Sequence, residues 1–186
     1  MAHRIVNDDE LIAASLDLFR TYGFDGVSLK QLSEATGLEK ASLYYRYPGG
    51  KDEIVMAAAE DVANWFQKNI FETLKGSSSP QKRVEAVSNR LREFYWGGSK
   101  SCVTDVLSLP GGPDKLRAGL KSVMKVWIDA FSQIARESGL PPPLARSRAE
   151  DVIARIEGSL IVARVPGDTS AFERTLKLLP ELLTKK

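Results

Sequence analysis

The chain has 186 residues, 43% of them hydrophobic and 27% charged, with a formal net charge of +2. That is ample for one hydrophobic core or for a small module joined to a larger one, and it is the composition of an ordinary water-soluble protein. One cysteine, Cys102, excludes an intrachain disulfide and a cysteine cluster for zinc, and the one histidine, His3, falls in a tail expected to be mobile, which argues against most metal sites and every histidine-based catalytic triad.

Apolar residues recur at helical spacing along most of the chain. Leu11, Ala14, Ser15, Leu18, Phe19 and Tyr22 predict a first helix, capped by Asn7 or Asp8 and closed by Gly23. Ser28 and Gln31 make a capping box for a short second helix that Gly37 ends. A third short helix is predicted over about Lys40 to Tyr45, stopped by Pro48-Gly49-Gly50. Asp52 and Glu53 suit the N-terminus of a fourth, reaching about Leu74. After the loop Gly76–Pro80, helices are predicted over 81–96, about Cys102–Leu109, 114–138, 145–164 and 169–183. Pro180 is expected to kink or end the last of these. No stretch alternates with period two, so the expected class is all-α, about nine helices, with essentially no sheet.

The stretch Ser28 to Tyr47 reads as a helix-turn-helix. Leu29, Leu32, Leu38 and Leu43 can fill a shared core, Ser33 and Ala35 permit close approach, and Gly37 supplies the turn. The second helix would then present Lys40, Ala41, Ser42, Tyr44 and Tyr45 to a DNA groove. Charge argues the other way. Residues 1–53 carry six Lys or Arg against nine acids, a net −3, while the rest of the chain is +5. A nucleic-acid reading therefore rests on geometry rather than on a basic patch.

A wider pattern supports it. Leu18-Phe19, Tyr22-Gly23-Phe24, Val27-Ser28, Leu32-Ser33, Ala35, Gly37-Leu38, Ser42-Leu43-Tyr44, Tyr47 and Lys51-Asp52-Glu53-Ile54, in that order and spacing, resemble the N-terminal signature of the TetR family of transcriptional repressors. Further on, Ser101-Cys102, Trp127 and Glu157–Arg164 resemble the branch of drug- and flavonoid-responsive, LmrA/YxaF-like regulators. The resemblance implies a three-helix DNA-binding head over 1–50 and a helical ligand-binding and dimerisation bundle over 51–186. It also implies a homodimer built on the last two helices and release from a palindromic DNA operator by a small effector. Carried over by position, Ser28, Tyr44 and Lys51 would meet phosphates, and Lys40, Ala41, Ser42 and Tyr45 would face bases or the groove wall. Lys30 and Arg46 would add local positive charge. Three departures from the family pattern stand out: Glu39 at the N-cap of the reading helix, Arg46 where histidine is frequent, and a spacer before Lys51 one residue longer than usual.

Phe94, Cys102, Met124, Trp127, Phe131 and Ile161 are the candidate lining of a pocket for a small apolar or aromatic effector, although at helical spacing such residues also read as core. Cys102, with no histidine to activate it, reads first as a small buried hydrophobe. Ile153, Ile156, Gly158, Leu160, Leu176 and Leu179 are the candidate dimer interface. No cofactor and no metal are expected. No apolar run approaches the ~20 residues that span a bilayer, and the N-terminus lacks a signal-peptide core, so the expected location is the cytoplasm. Without a catalytic histidine, a nucleotide loop or a metal cluster the chain does not read as an enzyme. The competing function is a helical adaptor or ligand-binding protein that no longer binds DNA.

Overall fold

The computed structural model describes residues 6–109 and 111–185; His3, Arg4 and Pro110 lie outside them. Among the described residues there are nine helices and no strand. They are α1 (Asp8–Tyr22), α2 (Leu29–Thr36), α3 (Lys40–Arg46), α4 (Lys51–Phe66), α5 (Pro80–Phe94), α6 (Val103–Ser108), α7 (Asp114–Glu137), α8 (Pro142–Arg164) and α9 (Ser170–Thr184). α4 continues without a break through a π-helical turn at Gln67–Phe71 into Glu72–Leu74.

The chain divides into two compact units. One takes the chain up to Ala63 together with Val103–Leu120. Its core gathers Leu11, Ile12 and Phe19 of α1, Leu32 of α2, Leu43 of α3, and Ile54, Val55 and Ala58 of α4, with Leu107 and Leu116. Local signals set its helices. Asn7 caps α1 by accepting from the Glu10 N–H at 2.8 Å, and Asp8, Asp9 and Glu10 place negative charge on the exposed amides of the first turn. Buried Ser15 returns its hydroxyl to the Leu11 carbonyl at 2.8 Å, so that hydroxyl is satisfied.

The other unit spans Asn64–Cys102 and Lys121–Lys186. Its core runs from Phe66, Ile70, Phe71 and Leu74 through Val84, Val87 and Leu91 of α5 and Phe131 and Ile134 of α7. It is completed by Ile156 and Leu160 of α8 and Phe172, Leu176, Leu179 and Leu183 of α9. α8 turns a narrow buried stripe inward, Ala145, Ala149, Val152, Ile156, Leu160 and Ala163, whose small early members let neighbours approach closely. Buried Arg83 staples this unit: its guanidinium donates to the Leu74 carbonyl at 2.5 Å and pairs with Glu137 of α7.

Proline accounts for two shifted helix starts. Pro80 and Pro142 sit in the first turns of α5 and α8, where a missing N–H costs nothing, so both helices begin earlier than expected. α9 does not end at Pro180 but runs through it to Thr184, because Leu179 and Leu183 on either side are both buried.

Candidate DNA-binding site

The reading motif is built from α2 and α3. Ser28 caps α2 as predicted: its Oγ accepts from the Gln31 N–H at 3.2 Å, and its own N–H donates to Gln31 Oε1 at 2.8 Å. Gly37 then takes the left-handed conformation, φ 70° and ψ 14°, that closes a short helix at its C′ position. Ser33 bridges the turn by donating to the Leu38 carbonyl at 2.5 Å. Glu39 stands at the N-cap of α3 and makes no side-chain capping bond, so the first amides of that helix are left to outside partners.

Leu43 is the one buried residue of α3. Around it Lys40, Ala41, Tyr44 and Tyr45 are exposed and Ser42 is half-buried. Tyr45 is 89% exposed, a large aromatic ring with little role inside the fold. Tyr44 is 48% exposed and lies against the backbone of Gly50.

The spacer Tyr47–Gly50 is a tight turn. Gly50 N–H donates to the Tyr47 carbonyl at 2.8 Å, and Gly49 N–H to Glu53 Oε2 at 2.7 Å. Gly50 has φ +63°, and a Cβ there would stand 3.3 Å from Tyr44 Cε1. The spacer therefore lies against the Tyr44 ring and leads straight into α4. Burial first, and the Asp8 carboxylate second, push the Tyr47 phenol above its ordinary 10.0, so it stays neutral at physiological pH.

The cations expected near DNA are held inside the head more than their sequence positions suggest. Arg46 donates to the Val6 carbonyl at 2.8 Å and to Asp8 Oδ1 at 3.1 Å. Lys51 donates to the Phe24 carbonyl at 2.9 Å and lies over the Phe24 ring, 4.1 Å from its centre. Lys30 faces Glu34 at 3.7 Å, one turn along α2. Lys40 has no ion-pair partner among the described residues. These tethers join positions 27 to 40 residues apart, which no local pattern announces.

This head has a known counterpart. Residues 11–58 match the profile of the bacterial regulatory proteins of the tetR family, and residues 81–177 match the C-terminal domain of the LmrA/YxaF-like transcriptional regulators. The chain belongs to the TetR family. Its members are DNA-binding transcriptional regulators, generally repressors, that act as dimers and are not enzymes. The chain is 23% identical to the HTH-type transcriptional regulator LmrA of Bacillus subtilis over 95% of its own length and 96% of that protein's. The fold resembles a TetR transcriptional regulator from Legionella pneumophila, with a TM-score of 0.83 at 19% identity over 97% of this chain and 99% of that one. It also resembles one from Agrobacterium tumefaciens, with a TM-score of 0.81 at 20% identity over 95% and 96% of the two chains.

In the second unit of this TetR-family chain the aromatic residues form one connected cluster. Phe131 meets Trp127 at 5.3 Å between ring centres, Trp127 meets Phe66 at 5.0 Å, and Phe66 meets Phe94 at 4.7 Å. Trp65 joins at Phe94, 4.5 Å away, and Phe71 joins at Trp127, 5.6 Å away. Three of the six expected pocket residues, Phe94, Trp127 and Phe131, are thus brought together. Buried Cys102 sits with its Sγ 3.5 Å from the Tyr95 hydroxyl, Met124 is half-buried, and Ile161 is exposed. Phe66, one of the aromatic residues whose pattern also suited a pocket, links Phe94 to Trp127; Phe71 was missed because in sequence it reads as one more apolar residue of the helix. A separate groove of about 500 Å³ between α5 and α9, with Glu85, Arg92, Lys177 and Glu181 among its lining, contains none of the six.

Of the expected interface residues, Ile156, Leu160, Leu176 and Leu179 are buried in this chain's own core, and Ile153 and Gly158 are half-buried. The large apolar side chains that α8 and its end leave on the surface are Leu144 in its first turn and Ile161, Val162 and Val165 at its end, the last 80% exposed, with Leu178 on α9. The second half of α8 is apolar over much of its girth, so periodicity does not say which side turns inward there.

Proposed function

We propose that the chain is a homodimeric, cytoplasmic repressor that binds a palindromic double-stranded DNA operator and is released by a small apolar or aromatic effector. The head, residues 1–50, reads the DNA, and residues 51–186 carry ligand binding and dimerisation. The observation that carries this reading is α3, with Leu43 alone buried and Lys40, Ala41, Tyr44 and Tyr45 exposed around it. A seven-residue helix with that division of labour has the form of a reading helix in the major groove. Ser42 and Tyr45 would lie toward bases or the groove wall. Ser28, Lys30, Tyr44 and Lys51 would lie toward phosphates, and Arg46, while it stays on Asp8, would hold the start of α1 in place.

Two heads related by a dyad require half-sites about 34–36 Å apart or a little more. The partner copy would cover Ile161, Val162, Val165 and Leu178, which are apolar and exposed in the single chain. The effector would enter the Phe94–Trp127–Phe131 cluster and favour the conformation that binds DNA less well. One observation favours the adaptor reading instead: Arg46 and Lys51 are occupied within an acidic head. Selection of bound sequences from random DNA, repeated with Tyr44→Ala combined with Lys51→Ala, separates the two. A repressor enriches a palindrome that the double variant no longer holds; an adaptor enriches nothing.

A further inference from the structure

α4 changes its winding where it enters the aromatic cluster. In the turn Gln67–Phe71 the Glu72 N–H donates to the carbonyl of Gln67, five residues back. Gln67 Nε2 donates across the same interval to Glu72 Oε1 at 2.7 Å. Asn69 Nδ2 adds a side-chain donor to the Trp65 carbonyl at 2.9 Å. The rings that bracket the turn, Phe66 and Phe71, both meet Trp127 nearly edge-on, at 5.0 and 5.6 Å.

Winding explains the coincidence. In an α-helix of 3.6 residues per turn, side chains five apart point roughly 140° away from each other and cannot grip one indole. In a π turn, at about 4.4 residues per turn, they stand only roughly 50° apart. Both rings reaching Trp127 therefore fits the π turn and does not fit plain α-helical winding. Single π turns recur at functional sites.

We propose that Trp127 is a positioning residue that holds α4 in its π register. A planar, uncharged aromatic effector that displaces the indole lets the turn relax to α-helical winding. That relaxation turns one end of α4 against the other by roughly a quarter turn. α4 is the helix whose first turn carries Lys51, so the change of winding falls in the same helix that opens on a residue assigned to DNA. The inference rests on the reading of this cluster as the effector site.

The test deletes Lys68, an exposed residue of the turn. Phe66 and Phe71 then stand four apart, roughly 40° from each other in a plain α-helix, so the grip on Trp127 survives and the second register does not. Trp127→Ala is made in both the full chain and the deletion chain. In the full chain it is expected to change operator affinity at least about tenfold. In the deletion chain the change is expected to stay within about twofold. Equal effects in both backgrounds overturn the proposal. A second readout needs neither DNA nor effector: NMR couplings across hydrogen bonds identify the carbonyl that accepts from Glu72 N–H. Trp127→Ala is expected to move that bond from Gln67 to Lys68, and its persistence on Gln67 overturns the proposal. This readout also decides the matter if the deletion chain does not fold. Failure to find any operator would instead count against the repressor reading and leave the NMR result to judge the register.

Discussion

Replacing Gly50 with alanine separates the seat of Tyr44 from the general cost of a left-handed residue. Gly50 has φ +63°, and a Cβ built there lies 3.3 Å from Tyr44 Cε1 and 3.9 Å from Tyr44 Cζ. Gly37 has nearly the same backbone, φ +70°, but a Cβ there meets nothing within 4 Å. Left-handed strain costs an L-residue about 1–2 kcal/mol, offset in part by about 0.4–1 kcal/mol from the stiffer unfolded chain, so each variant is expected to lose about 1 kcal/mol. In a chain of this length that is about 2–4 °C in melting temperature. The two variants should part in DNA binding. Gly37→Ala is expected to keep operator affinity within about twofold. Gly50→Ala pushes the Tyr44 ring by a few tenths of an ångström and is expected to cost about tenfold, the equivalent of about 1.4 kcal/mol. Urea unfolding followed by circular dichroism gives the stability of each, and fluorescence anisotropy with labelled operator gives the affinity. Equal losses of affinity in the two variants would show that the Gly50–Tyr44 contact has no part in DNA reading.

Three further outcomes are expected. Glu39→Ser supplies the missing N-cap oxygen of α3 and removes a carboxylate near the phosphates, so it is expected to stabilise the head by about 1 kcal/mol and tighten operator binding; urea melts and anisotropy check both. Arg83, and after it Gln133, hold the Glu137 carboxyl below its ordinary 4.5. A lowered carboxylate contributes stability above its unfolded value and loses it as pH falls through the folded one. Glu137→Gln is therefore expected to cost about 1–2 kcal/mol at neutral pH, after allowance for the exposed side of Glu137, and to converge with the wild type as pH drops below that value. Val165→Glu is expected to shift sedimentation from dimer toward monomer with an unchanged circular dichroism spectrum; an unaltered dimer would place the partner face elsewhere.

The head was readable in the sequence because its decisive signals are local. Ser28 and Gln31 are three residues apart, Gly37 answers one backbone requirement, and Leu29 and Leu32 on α2, Leu38 in the turn and Leu43 on α3 mark one shared core within a short stretch. Arg46 reaching Val6, and Lys51 reaching Phe24, join segments that only the folded chain brings together, so counting both as cations offered to DNA overstated what stands free. The orientation of α8 was hidden for another reason: Ile156 and Leu160 face inward and Ile161 and Val162 outward, and all four are equally apolar. The π turn depends on Trp127, more than fifty residues downstream of Phe71, and so had no local sign. Pro180 is the opposite case, a strong local signal that does not end the helix, whose flanking Leu179 and Leu183 are both buried.

The central claim, that α2 and α3 read DNA for a dimeric repressor, is tested most directly by hydroxyl-radical footprinting on sequences selected from random DNA. Two protected half-sites in inverted repeat, centred about one helical turn apart or slightly more, are predicted, with protection lost in the variant carrying Tyr44→Ala and Lys51→Ala. Protection without a repeat, or protection unchanged in that variant, would contradict it.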